Sequence, residues 1–461
     1  MINDNDTIAA IATPFGNSGI GIIRISGSEA IKKADELIRS RSGKSLGLIS
    51  MESHTVHYGF LSDEDRIIDE VLCTIYKAPR SFTAEDTAEI SCHGGMYILN
   101  KALSVVLSHG IRLAEPGEFT KRAYLNGRID LSQAESIMDI ISSENEFSRS
   151  NSILQLNGSV KRKVNELRET IIHESAFIEA ALDDPEHYEI EEDYRLRLKD
   201  IIIGLSEEIE KIIDNYDKVR YLKNGINTVI AGKPNVGKSS LLNLLSGYER
   251  AIVTSIPGTT RDIIKERISF DDLTLNITDT AGIRESADEV ENIGISKARE
   301  EIEKADLVLF MIDSSEKIDD EDRKIFSMTK EKCCIVILNK TDKGSIISEE
   351  DIERMTDDPV VSISVREKTG LDTLKENIKN IFINESIRDN EIYITNKRQI
   401  ELFRSAADSL RMVKESVVNG MSEDTFTVDF MDAYDHLGKV IGEDLSDDLT
   451  DRIFSEFCMG K

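Results

Sequence analysis

The sequence predicts three folded parts: an α+β domain at the N-terminus, a helical domain made of two chain segments, and a doubly wound α/β domain inserted between those segments. Three observations predict it. Residues 1–117 hold short runs rich in glycine and β-branched positions, such as Gly19-Ile-Gly-Ile-Ile-Arg-Ile-Ser-Gly27, the pattern of an independent α+β unit. Residues 118–222 are mainly helical in period, with long stretches at 152–182 and 195–216, and the period returns after Asn396 in a second segment spanning 384–461. Between them, residues 223–383 alternate helical stretches with apolar runs at 227–231, 305–312, 333–338 and 359–363 that read as buried strands, and a further strand at 273–278. A chain of 461 residues is long enough for these three cores.

Composition limits what the protein does. With 57 Lys and Arg against 86 Asp and Glu, the net charge is −29, so a broad basic surface for nucleic acid is not expected. Contact with RNA must be local or supplied by a partner. Cys73, Cys92, Cys333, Cys334 and Cys458 form no C-x-x-C pair and no zinc spacing, as expected of free thiols in a reducing cytoplasm. The first residues are acidic where a signal peptide is basic, and no apolar run approaches the ~20 residues of a membrane span; the expectation is a soluble, cytoplasmic protein with no membrane partner. The acidic runs at 349–353 and 443–449 lack the alternation of a calcium loop and read as solvated helix starts. His93 has no second histidine at ligand spacing.

The segment Gly232-Lys-Pro-Asn-Val-Gly-Lys-Ser-Ser240 fits the phosphate-cradling pattern G-x-x-x-x-G-K-[ST]. Its glycines permit a tight turn after a strand, and the N–H groups that open the next helix face an anion. Asn235, Val236, Gly237, Lys238, Ser239 and Ser240 line the cradle, with Lys238 neutralising the β- and γ-phosphates and Ser239 holding Mg²⁺. Four further parts follow in order. The loop Thr254, Ser255, Ile256, Pro257, Gly258, Thr259, Thr260 places Thr260 to reach Mg²⁺ and the γ-phosphate. Asp279, Thr280, Ala281 and Gly282 follow a strand, so a carboxylate ends beside the metal and a glycine N–H faces the γ-phosphate. In Asn339, Lys340, Thr341 and Asp342, the last carboxylate accepts from N1–H and the 2-amino group of guanine, which adenine cannot reproduce. Ser364, Val365 and Arg366 close over the base. The ordered set predicts a GTP-hydrolysing domain of the Ras-like kind.

The resemblance then becomes specific. The blocks Asp4-Asn-Asp-Thr-Ile8, Ala12-Thr-Pro14, Arg24-Ile-Ser-Gly27, Ser81-Phe-Thr-Ala-Glu-Asp86, Cys92-His-Gly-Gly95, Pro116-Gly-Glu-Phe-Thr120, Leu125-Asn-Gly-Arg-Ile-Asp-Leu131 and Ile453-Phe-Ser-Glu-Phe-Cys-Met-Gly-Lys461 resemble the tRNA-modification GTPase family MnmE, also called TrmE, over essentially the whole chain. The resemblance implies a homodimer that acts with a flavin-containing partner, MnmG or GidA, which brings FAD and NADH. The pair attaches an aminomethyl-type group, such as carboxymethylaminomethyl, to carbon 5 of the wobble uridine of certain tRNAs. The added carbon comes from a tetrahydrofolate derivative, 5-formyl or 5,10-methylene, bound in the N-terminal domain.

By position, the resemblance assigns Arg24, Glu89, Arg128 and Lys461 to the folate, with Arg128 standing where relatives often carry Lys, a change that keeps charge but alters geometry. It makes Cys458 a functional thiol whose thiolate the Lys461 cation favours. The residue after Gly282 is Ile283, which cannot orient a water as glutamine does in Ras-like proteins. The family instead places K⁺ where an arginine finger would act, with Asn235 as side-chain ligand, carbonyls around Thr254, Ile256 and Thr259 completing the site, and Glu291 orienting water. Two other readings use the same residues: a K⁺-dependent regulatory GTPase that only changes partners, and an N-terminal domain that is a dimerisation scaffold alone.

Overall fold

The computed structural model describes residues 6–64, 66–143, 145–183, 194–248, 265–270, 273–278, 300–330, 332–382, 393–457 and 460. Contacts divide the chain into two compact units, one of Met1–Met138, Gln155–Leu198 and Asp408–Lys461, the other of Asp139–Leu154 and Lys199–Ala407. The α+β, helical and doubly wound parts foreseen in the sequence are all present.

In the first unit, strands β1 (Ile8–Ile11), β2 (Ile20–Ser26), β3 (Ile38–Arg39), β4 (Thr55–Asp63), β5 (Arg66–Tyr76), β6 (Thr87–His93) and β7 (Arg112–Leu113) form one sheet in the order β3-β4-β5-β6-β2-β1-β7. The pairs are antiparallel except β1 with β7. Strand residues alternate between faces. Ile23, Ile25, Cys73, Ile75, Ile90 and Cys92 therefore face one side, where the helices Ala30–Leu37 and Met96–Ser108 bury them. Arg24 and Glu89, register partners across β2 and β6, fall on the other side.

The helix Glu118–Leu125 is tied to this sheet by a largely buried charge network. Arg122 donates to the Asp6 carbonyl at 2.9 Å, the Asp6 carboxylate at 2.5 Å, Glu118 at 3.1 Å and Glu85 at 3.2 Å, while Arg112 pairs with Asp6 and Glu118. A buried charge is tolerated only when partnered in this way. Among the helices of this unit, Ser159–Asp183 and Glu423–Ile441 pack together, and Arg168 lies 3.9 Å over the Tyr434 ring while pairing with Glu443 at 2.7 Å. The periodic stretch at 152–182 is interrupted, because Gly158 takes φ +78° and ends one helix at Leu156 before the next starts at Ser159.

The second unit holds β8 (Ile226–Ala231), β9 (Lys265–Phe270), β10 (Leu273–Thr278), β11 (Leu307–Asp313), β12 (Cys334–Asn339) and β13 (Val360–Ser362), ordered β13-β12-β11-β8-β10-β9. All neighbours are parallel except β9 with β10. Every residue of β11 and β12 is buried, as expected of parallel strands covered on both faces. Chain order reverses at β8, which is flanked by β11 and β10, so the ligand crevice of such a fold lies beyond its C-terminal end.

A short helix, Glu146–Leu156, meets the backbone on both sides of this α/β stretch. Asn145 Nδ2 and Ser148 Oγ donate to Leu222 O at 2.6 and 3.3 Å. Buried Asn151 donates to Tyr393 O at 2.9 Å and accepts Tyr393 N–H at 3.3 Å, so one side-chain amide does the work of a paired strand.

Two expectations follow. Replacing Asn151 with Leu strands two backbone groups and should lower stability by about 1–3 kcal/mol, read from the urea midpoint of the second unit's transition. Burial alone would raise the carboxyls of Asp6 and Glu118, but hydrogen bonds and charge from Arg112 and Arg122 outweigh it and hold both below the ordinary range. Carboxyls lowered in the folded state stabilise it above their unfolded pKa, and that contribution is lost as pH falls through the folded value. Urea titrations should therefore show the first unit keeping this contribution down to about pH 5 and losing it progressively as pH falls below about 4.

Candidate functional site

The predicted phosphate loop joins the C-terminal end of β8 to the helix Lys238–Tyr248. Gly232 has φ +144° and Gly237 φ +111°; a Cβ on the first would strike Met311 O of β11, and on the second the Asn339 amide. Neither position admits a side chain, which lets the loop lie flat against β11 and β12. Asn235 takes the left-handed φ of +64°, a conformation asparagine tolerates. Lys238 Nζ donates to Gly232 O at 2.6 Å and Lys233 O at 2.8 Å. Ser239 and Ser240 are exposed at the start of the helix, and Val236 is buried in the core.

The residues expected to read the base converge on the same place. Asn339, at the end of β12 and 3% exposed, donates through Nδ2 to Val236 O at 2.7 Å and accepts Val365 N–H through Oδ1 at 3.2 Å. Asp342 accepts from Ser364 Oγ at 2.8 Å, and Thr341 donates to Ile363 O at 3.1 Å. Lys340 pairs with Asp313 at 2.5 Å. Burial would raise Asp313, but the Lys340 hydrogen bond, two bonds from Ser315 and the Lys340 charge leave it below the ordinary carboxylate range. Arg366 stands 3.8 Å from Asp342 with its side chain 83% exposed. Together Asn235, Gly237, Ser240, Lys340, Asp342 and Arg366 line an open cleft of about 680 Å³. It is large enough for a nucleotide.

The structure also gathers Arg24, Glu89 and Arg128 within the first unit. Arg24 Nε donates to Glu89 at 2.8 Å, and its guanidinium lies 5.4 Å from the Phe82 ring centre and 5.6 Å from that of Phe119. Arg128 lies 5.1 Å from the same Phe82 ring and donates to Phe82 O at 2.9 Å. Arg24 Nη1 reaches Gly460 O at 3.4 Å. Gly460 has φ +86°, and a Cβ there would collide with Ile11 O. Tyr76 also faces Glu89: burial first, then the Glu89 charge, raise its hydroxyl pKa. Neither Phe82 nor Tyr76 carries a role in the sequence, although Phe82 lies within the segment 81–86; nothing in the chain forecasts that two arginines share its ring.

Thr254, Ser255, Ile256, Pro257, Gly258, Thr259, Thr260, Asp279, Thr280, Ala281, Gly282, Ile283, Glu291, Cys458 and Lys461 lie outside the described residues. Cys73, Cys92 and Cys334 are buried, and burial pushes each thiol up to about 12, as expected of structural cysteines. His93 bonds Asp69 at 2.6 Å, and among the described residues no cluster of metal-ligating side chains occurs. Among the same residues no helix is long and apolar enough to cross a membrane.

The expected role of Asp342 has a specific signature when its charge is removed. Asp342→Asn should weaken GTP binding about 10- to 100-fold while leaving the fold intact, measured by titration with a fluorescent GTP analogue.

Residues 131–458 match the family described as MnmE helical domain, and residues 7–128 the one described as GTP-binding protein TrmE N-terminus. A tRNA modification GTPase MnmE of Lachnoclostridium phytofermentans is 49% identical, with 99% of each chain covered. One from Geobacillus thermodenitrificans is 42% identical over 99% of each chain. Among solved structures, Era in complex with MgGDPNP and nucleotides 1506–1542 of 16S ribosomal RNA is 28% identical over 40% of this chain and 66% of that chain, with a TM-score of 0.27, a likeness too partial to add to the fold. Full-length similarity of this degree, together with the two matching domains, means that the chain belongs to the tRNA modification GTPase MnmE family.

Proposed function

We propose that this protein is a K⁺-activated GTPase that, with a flavin-containing MnmG-type partner, adds an aminomethyl-type group to carbon 5 of the wobble uridine of certain tRNAs. The observation that carries this reading is the contact of Arg24 with Gly460 O: positions 436 residues apart, one in the family's folate-contacting set and one in its C-terminal motif, are neighbours in a single unit. A GTPase that served only as a switch has no use for that juxtaposition.

The residues suit a pterin and its tail. Glu89 accepts from ring N–H and amino groups, and Arg24 and Arg128 offer charge-assisted donors to carbonyls or a glutamate tail. The tetrahydrofolate derivative supplies the one-carbon unit when bound. Cys458 acts as the thiol at this site, and Lys461 favours its thiolate. FAD and NADH reach the reaction through the partner. Homodimerisation is supported by the sheet face that carries Arg24, where Val56, Tyr58 and Leu72 are 58%, 56% and 47% exposed. An apolar patch of this kind marks an interface.

In the nucleotide cleft, Lys238 and the N–H groups at the start of its helix bind phosphate oxygens, and Asp342 selects guanine. Ser239 and Thr260 hold Mg²⁺. Asn235, at the cleft rim, contributes the side-chain ligand for K⁺, with carbonyls at Thr254, Ile256 and Thr259. Potassium supplies the positive charge that an arginine finger gives elsewhere. Glu291 orients the attacking water, the task Ile283 cannot perform.

Three outcomes are expected. Exchanging K⁺ for Na⁺ at constant ionic strength should slow GTP hydrolysis by at least about tenfold; an indifferent rate would remove the potassium assignment. Mass spectrometry of tRNA nucleosides from cells lacking the gene should show loss of the modified wobble uridines, restored by the wild type and not by Cys458→Ser, whereas an unchanged profile would favour the switch. Gly460→Ala should likewise abolish restoration in the same assay while leaving the KM for GTP unaltered, since its collision lies in the other unit.

A further inference from the structure

We infer that Lys233 is a positioning residue for GTP, its side chain held by Asp319 and Asp322 so that its own carbonyl aims the ammonium of Lys238. This inference rests on reading the cleft as a GTP site. Lys233 is the residue after the first glycine of the phosphate loop. Its Nζ lies 2.8 Å from Asp319 and 2.8 Å from Asp322, and its side chain is 12% exposed. Those two carboxylates belong to a capping box: Asp319 accepts Glu321 N–H at 3.0 Å and Asp322 N–H at 3.1 Å, while Asp322 accepts Asp319 N–H at 3.2 Å. The clasp therefore joins the phosphate loop to the rigid start of the helix Asp320–Thr329, which follows β11.

The consequence reaches Lys238 through the backbone. An ammonium has three donors and no preferred plane, so its direction is set by the acceptors around it. Two of those acceptors are Gly232 O and Lys233 O. Gly232 is fixed because the loop lies against Met311 O, where no side chain fits. Lys233 is held through its side chain by the charge clasp. Asp322, with only 2% of its side chain exposed, makes the clasp costly to break, since removing Lys233 leaves a buried carboxylate without its cation.

The test uses the full-length protein, fluorescent GDP and GTP analogues, and steady-state hydrolysis. Lys233→Met should weaken both nucleotides about tenfold and raise KM while kcat stays within about twofold, because the aimed contact is made equally in ground and transition states. Lys233→Arg, which still reaches both carboxylates, should restore affinity to within about threefold of wild type. Asp319→Ser keeps a capping oxygen but removes one carboxylate from the clasp, and should show an intermediate loss with an unchanged melting temperature. Wild-type affinity in Lys233→Met overturns the inference. If that variant does not fold, wild-type affinity in folded Asp319→Ser overturns it equally. Failure of the wild type to bind either nucleotide would instead remove the GTP reading beneath it.

Discussion

The second unit depends on one buried amide. Asn339 gives its N–H to the phosphate loop at Val236 and takes an N–H from Val365, so the loop, the end of β12 and the turn after β13 are held by one side chain. Aspartate would repel the Val236 carbonyl, and leucine would strand both backbone groups. The same amide explains Gly237, whose missing side chain is the space Asn339 occupies. Two motifs that look independent in the sequence are thus halves of a single packing arrangement. Asp342, which accepts from Ser364, extends it to the wall of the cleft.

The first unit solves a different problem, that of keeping charged groups on a sheet face without losing them to solvent. Arg24 pairs with Glu89 directly across two strands and rests near two aromatic rings, which keeps both charges partnered and oriented. Around them, Arg122 anchors the 81–86 loop through Glu85, and Arg128 and Asn126 hold the carbonyls of Phe82 and Thr83. The loop that presents Phe82 is therefore set by three side chains from or just beyond one helix, Glu118–Leu125.

Much of this was readable in the chain where the signal is local. The run at 273–278 coincides with β10: Leu273, Leu275 and Ile277 alternate with Thr274, Asn276 and Thr278, the period-two pattern of a strand. The strand expected from residue 305 begins at Leu307, since Asp306 turns to accept from the Asn227 backbone instead. The stretch at 152–182 is broken at Gly158, a signal present in the sequence but outweighed by the apolar period around it. The convergence of the phosphate loop and the segment 339–342 on one cleft was legible because each motif carries its own chemistry. Asn151, Asp319 and Phe82 were not, because what gives each its role is a partner distant in sequence: Tyr393 lies 242 residues from Asn151, and Lys233 lies 86 from Asp319. A capping box was written in residues 319–322, but nothing local says that a lysine from another loop completes it.

The topology of the two sheets bears on how the chain survives its own synthesis. The N-terminal sheet grows largely from strands adjacent in sequence, with β4 followed at once by β5 and then β6, so its apolar faces are covered early. The central strand β8 waits instead for β10 and β11, which emerge tens of residues later, and the largely apolar Leu307–Asp313 and Cys334–Asn339 must stay unpaired until the crossovers close. Segments of that kind are aggregation hazards while exposed. The acidic balance of the chain, −29 in full, opposes association of copies that expose such segments, which gives the composition a bearing on biogenesis as well as on the finished surface.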